Sequence, residues 1–259
     1  MNDRLLPDQI ADFLIALIFI KSLKPGDRLP AERRLSELLQ VDRTSLRTAL
    51  KTLIRMGLLD SVQGSGITVL DPRRHAGVDM LDAVLRIPEL EIGSRLMIQL
   101  IESFIRTLPT MVRRAIEMGD RRERAEILAQ LHIQISRYTS GANVAELAAI
   151  DVSLQDMMAD RIDHPLAIMT ANSTRRLRHM LTTMLYEKVN LESHFDAQLN
   201  LIEEAISGVL GMGDMQKKYA SHIHGLSRKL VAHLATLPPD PHLKASPLTH
   251  LPDLRNLPE

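Results

Sequence analysis

The 259-residue chain has no cysteine and no tryptophan, and aromatic residues make up only 3% of it. Without cysteine there can be no disulfide, thiolate metal site or cysteine nucleophile, a pattern that fits the cytoplasm. Few aromatics beside abundant Leu, Ile, Met and Ala favour packed helices over sheets, so a mainly α protein is expected. No apolar run is long enough to cross a bilayer. The stretch Ile10–Ile20 is short and carries Asp12, so it reads as a helix of a soluble protein and not as a signal peptide, and no membrane partner is expected. H-E-x-x-H, G-x-S-x-G and glycine-rich phosphate loops are also missing, which leaves hydrolytic chemistry without its usual frame.

Acidic and basic residues balance, 32 against 32, but the basic excess gathers before Gly77 and the acidic excess after it. Within that basic stretch Ile10, Leu14, Leu17 and Ile18 fall at helical spacing, and Pro25-Gly26 ends the helix. A second short helix is predicted over Pro30–Leu39. Asp42 stands at a capping position for a third, Arg43–Met56, which Gly57 closes. Leu58–Val62 and Ile67–Leu70, separated by Gly64 and Gly66, read as two small strands with a tight turn. Three helices followed by a small hairpin make a winged helix-turn-helix over residues 1–71.

Residues 72–77 read as a linker. From 78 to 237 the pattern is helical almost throughout, with helices near 78–86, 92–118, 121–140, 144–160, 165–189, 193–210 and 214–237. An all-helical domain is therefore expected over residues 78–237. Prolines at 238, 239, 241, 247, 252 and 258 mark residues 238–259 as an irregular or disordered tail.

The third helix has two faces. Leu46, Leu50, Leu53 and Ile54 form an apolar stripe, while Arg43, Arg47, Lys51 and Arg55 recur every fourth residue elsewhere. Such a helix fits the major groove, where Arg43 and Arg47 would read base edges and Thr44, Ser45 and Lys51 would meet the backbone. The same stripe also suits a surface helix that is merely basic. Gly64 and Gly66 suit a wing tip that needs positive φ and no Cβ near a sugar-phosphate chain, and equally a bare hairpin turn.

These residues lie in a longer pattern: Pro25-Gly26-Asp27-Arg28-Leu29-Pro30-Ala31-Glu32-Arg33, Leu35-Ser36-Glu37-Leu38, Val41, Arg43-Thr44-Ser45-Leu46-Arg47, Ala49-Leu50, Leu53, Gly57-Leu58-Leu59 and Gly64-Ser65-Gly66. The pattern resembles the GntR family of winged-helix regulators. The resemblance implies DNA contacts from Arg33, Arg43, Thr44, Ser45 and Arg47, a wing tip at Gly64, Ser65 and Gly66 in the minor groove, and binding of double-stranded DNA as a homodimer. Asp42 departs from the small hydroxyl residue often found there, and reads as a helix cap.

The helical part resembles the FadR branch more loosely, through Asp151, Leu154, Gln155, Pro165, Ile202, Glu204-Ala205-Ile206 and Gly213-Asp214, and the resemblance implies a bundle of six or seven helices that binds an effector and dimerises. Much of that branch holds a metal on an aspartate and three histidines. Here Asp151 keeps the first place, Gln155 stands in the second, Gln198-Leu199 in the third, and His222 or His224 near the fourth. Neutral amides are poor ligands, so no metal or other cofactor is expected and Asp151, Gln155 and His222 are remnants, with His194 a weak substitute. The resemblance then points to a fatty acyl-CoA or another bulky apolar effector, although Phe104 stands where many members place an arginine. Alternatives are a small organic acid, a bundle that only dimerises or binds a protein, and, remotely, a metal-dependent hydrolase using Asp151, His164, His194 and His222. Met97, Met157, Met158, Met180, Met184, Met212 and Met215 read as core or as an adaptable pocket lining. Arg175-Arg176-Leu177-Arg178 reads as a solvated face or an anion-headgroup site.

Overall fold

Helix α1, Leu6–Phe19, has Pro7 in its first turn, where the missing N–H costs nothing, and is buried along almost its whole length from Gln9 to Ile18. A helix buried on all sides must lie at the centre of its domain. The computed structural model describes residues 4–62, 66–162 and 164–257. They divide into two compact units, Arg95–Leu237 forming one and the chain on both sides of it the other.

In the first unit α1 packs against α3 (Arg43–Arg55), which follows the short α2 (Glu32–Leu38). A three-stranded antiparallel sheet lies beside them, in the order β1 (Arg28–Leu29), β3 (Gly66–Val69), β2 (Leu59–Val62), with Leu59 opposite Val69 and Arg28 opposite Thr68. The two wing strands stand where the spacing puts them. Strand β1 was not foreseen, because a two-residue strand between Gly26 and Pro30 leaves no alternation to read. In α3 the buried stripe is Leu46, Ala49, Leu50 and Leu53, at i, i+3, i+4 and i+7. Ile54, expected in that stripe, is 37% exposed because its position carries it off the face.

The expected linker holds one helical turn, α4 (Pro72–His75), where Asp71 accepts a hydrogen bond from the Arg73 amide at 3.0 Å. Helix α5 (Val78–Arg86) keeps its expected bounds but not its expected domain: Met80 and Val84 join the core built on α1. The C-terminal segment departs further from expectation. Strand β4 (Leu90–Glu91) pairs antiparallel with β5 (His242–Leu243), the Ser94 amide donates to the Pro238 carbonyl at 2.9 Å, and Leu243 and Leu248 are buried in the same core. Its prolines stiffen the chain and lower the entropy lost on ordering. Leucines between them supply the contacts, and burying one such as Leu248 contributes roughly 1.5 to 3 kcal/mol.

Among the described residues the second unit contains six helices: α6 (Ser94–Met118, its first residue in the other unit), α7 (Arg121–Thr139), α8 (Val144–Arg161), α9 (Pro165–Tyr186), α10 (Leu191–Ile206) and α11 (Met212–Leu234). Capping boxes start two of them, Asp120 with Glu123 and Asn143 with Glu146, and Asn190 caps a third through the Ser193 amide. Val112, Ile116, Ile127, Leu131, Leu154, Met158, Ile202, Met215 and Ile223 fill the core.

Candidate nucleic-acid interface and effector core

Two turns of chemistry set up the exposed face of α3. At its start Asp42 accepts the Ser45 amide at 2.8 Å, satisfying an orphan N–H, and hydrogen bonding from the Ser45 hydroxyl, with the Ser45 amide next, holds the Asp42 carboxyl below its usual range. Behind it the apolar stripe is sealed against the core, so Arg43, Arg47 and Lys51 project outward. Arg47 is not loose. Its Nε donates to Glu32 of α2 at 2.6 Å, which ties the two helices together while the side chain stays largely exposed. Arg33, 77% exposed, stands one turn from Glu37, with their charged atoms 3.8 Å apart. Gly66 has φ +84, the left-handed conformation that glycine adopts most cheaply. Gly64 and Ser65 lie outside the described residues.

The helical unit has a polar centre. Tyr186 donates to Asp151 at 2.9 Å and Gln134 donates to Tyr186 at 3.1 Å, all three side chains being buried. Burial pushes the Asp151 carboxyl up to about 6, against the opposing pull of the Tyr186 hydroxyl, and pushes the phenols of Tyr186 and Tyr219 up as well. Nδ1 of His194 meets Nε2 of His222 at 3.0 Å with the rings stacked, and burial lowers both, His194 to about 3. Gln198 donates to Tyr219 at 3.0 Å. Nε2 of Gln155 and Oε1 of Gln198 and Gln134 are buried without a hydrogen-bond partner among the described residues.

This set does not suit a metal of the kind the FadR resemblance implies. Two of its four places are amides, the carboxylate of Asp151 is engaged by a phenol, and His222 is engaged by His194. Among the described residues no three His, Asp or Glu side chains are placed to share an ion. A groove of about 570 Å³ is lined by residues of α6, α8 and α9, among them Met111, Ile162, Leu166 and Ala167 and the cations Arg106 and Arg114.

Residues 6–69 match the model of bacterial regulatory proteins of the gntR family. The N-terminal unit contains a GntR-family domain. The chain is 38% identical over 126 residues to the HTH-type transcriptional regulator Mce2R of Mycobacterium tuberculosis, covering 48% of this chain and 51% of that protein. It is 31% identical over 137 residues to the fatty acid metabolism regulator protein of Erwinia tasmaniensis, covering 49% and 58%. The chain spans about half the length of the curated relatives it matches. Among solved structures, Lar, which controls expression of the Listeria monocytogenes agr system, is similar with a TM-score of 0.56 at 15% identity, covering 90% of this chain and 99% of that one. That likeness concerns the fold.

In the GntR-family domain, α3 brings Arg43, Thr44, Ser45, Arg47 and Lys51 together on one short helix. Sequence reasoning missed Glu32 as the partner of Arg47, although an acid at the start of the preceding helix was in plain view. In the helical unit it named Asp151, Gln155 and His222 but not Tyr186, Gln134 or Tyr219, whose roles depend on packing that no spacing reveals. Arg178 fits neither reading made for it: it is buried, bonding Gln155 at 3.1 Å, the Ala171 carbonyl at 2.8 Å and Asp156. Arg175 also reaches Asp156, at 2.7 Å. Met158 and Met215 are core, and the α6–α8–α9 groove is lined instead by Met111.

Proposed function

We propose that the chain is a ligand-responsive transcriptional regulator that grips a palindromic operator in double-stranded DNA as a homodimer, in the cytoplasm, with no catalytic role. The observation that carries this reading is α3, capped by Asp42, sealed on one side and cationic on the other. Arg43 and Arg47 read bases, Arg33, Thr44, Ser45 and Lys51 hold phosphates, and the sequence Gly64-Ser65-Gly66 contacts the minor groove. The two half-sites are related by the two-fold axis of the dimer.

The helical unit takes the effector. Similarity to a fatty acid metabolism regulator and a groove lined by both apolar side chains and the cations Arg106 and Arg114 support a fatty acyl-CoA or another bulky apolar anion. A small organic acid is the second reading, favoured by the unsatisfied amides of Gln155 and Gln198 in the polar centre. Selection of duplexes from a random-sequence pool, followed by binding titrations at several salt concentrations, tests the operator reading. A wild-type protein that enriches no sequence would sink it. Native mass spectrometry of the purified protein then separates an acyl-CoA, an organic acid, a metal and an empty dimer.

A further inference from the structure

Helix α2 ends at Leu38, and Gln40 beyond it takes φ +52, which turns the chain towards Val41 and the Asp42 cap. A helix end leaves carbonyls without partners in the helix, and a left-handed residue directs the chain away from them. Here the carbonyl of Leu39 is met from 211 residues away, by Nε2 of His250 at 2.9 Å. A carbonyl only accepts, so that nitrogen carries the proton.

The loop that presents His250 is itself held. The Ser246 amide donates to the Pro252 carbonyl at 2.9 Å and the Leu248 amide to the Ser246 hydroxyl at 3.1 Å, so residues 246–252 close on themselves over the buried Leu248. Next to His250, Thr249 donates to Oε1 of Gln9 from both its amide, at 3.0 Å, and its hydroxyl, at 2.9 Å. The same Gln9 donates to the Arg4 carbonyl at 2.8 Å. The Oε1 of a glutamine 7% exposed in a largely apolar helix is thus satisfied by the C-terminal segment. One residue pins the segment to α1, and its neighbour caps the helix that precedes the recognition helix.

We infer that His250 is a positioning residue for DNA recognition: by capping α2 at Leu39 it fixes the turn that sets the angle between α2 and α3. The inference rests on the DNA-binding reading above. The cation face of α3 can match phosphates and base edges only if that turn has one conformation, since a misplacement of about 1 Å already loses oriented contacts. The 238–257 segment is then part of the reading head, and one of its hydrogen bonds is aimed at the hinge.

The test uses the full chain as wild type, His250→Leu and His250→Gln, the last keeping an N–H donor. Binding is measured by fluorescence anisotropy on the duplex that the wild type selects from a random pool, and amide exchange is followed over residues 32–55. His250→Leu is expected to weaken specific binding about fivefold or more, to speed exchange at residues 39–45, and to leave the melting temperature within a few degrees. His250→Gln is expected to restore both. Wild-type affinity and exchange in His250→Leu would overturn the inference, as would equal losses in both variants with a lowered melting temperature. A wild type that selects no duplex would fail the operator reading alone, because exchange at the turn still decides whether His250 holds it.

Discussion

Tyr186 donates its hydroxyl hydrogen to Asp151 at 2.9 Å, and both side chains are buried at the centre of the helical unit. The carboxyl is raised to about 6 chiefly by burial. In the unfolded chain it ionises near its ordinary value of 3.8. Between those values the unfolded state loses a proton that the folded state keeps, so stability falls as pH rises from about 4 to 6 and then levels off, a change on the order of 3 kcal/mol. Thermal melts across this range should show that decline, and Asp151→Asn should flatten it. An unchanged slope in the variant would assign the pH dependence to other groups.

The Glu32–Arg47 contact predicts a trade. Glu32→Ala removes a negative charge near the DNA-facing surface and the anchor of the Arg47 guanidinium. Binding to non-selected duplexes should rise modestly, while discrimination between selected and scrambled sequences should fall. Comparative titrations at fixed salt measure both. A variant that gained affinity on both sequences equally would show that Glu32 does not orient Arg47.

Replacing Arg43 or Arg47 by Ala should cost about 1 to 3 kcal/mol of specific binding and relax the sequence preference. Lys51→Ala should weaken all duplexes alike and lower the salt slope by about one. If Lys51→Ala altered the preferred sequence, its role would be base reading.

Gly57 closes α3 with φ +71, and a Cβ there would lie 2.3 Å from the carbonyl oxygen of His75. Gly57→Ala combines positive-φ strain with a backbone clash and should destabilise the N-terminal unit by on the order of 2 kcal/mol or more. Denaturant unfolding followed by amide exchange would place the loss in that unit. Gly26, also at positive φ but with open space around its Cβ, should cost less on the same substitution.

Leu248 is fully buried beside α1, although it lies in the segment with the proline-rich signature of disorder. Leu248→Ala should cost about 2 to 5 kcal/mol. A change in melting temperature too small to measure would mean that the segment contributes little to that core.

The recognition helix was legible because every determinant is local. Its cap, its apolar stripe and its cations fall within 14 residues of one another, from Asp42 to Arg55. The bundle helices were legible for the same reason, with capping residues and glycines at their ends. What could not be read is what meets across long stretches of chain. Nothing near Gln9 announces Thr249, nothing near Leu39 announces His250, and Asp151 does not reveal that a tyrosine 35 residues on will hold its carboxylate. The tail was misread because proline content was weighed and the leucines between the prolines were not.

The Ser94–Pro238 hydrogen bond pins together the two points where the chain leaves and re-enters the N-terminal unit. During synthesis, therefore, α1, α2 and α3 emerge first yet wait for the whole helical unit to be translated before Leu243 and Leu248 arrive to close their core. A nascent or prematurely terminated chain would expose that apolar gap, and quality control by proteases and chaperones would see it. Arrival of residues 238–257 becomes a precondition for a finished core in that unit.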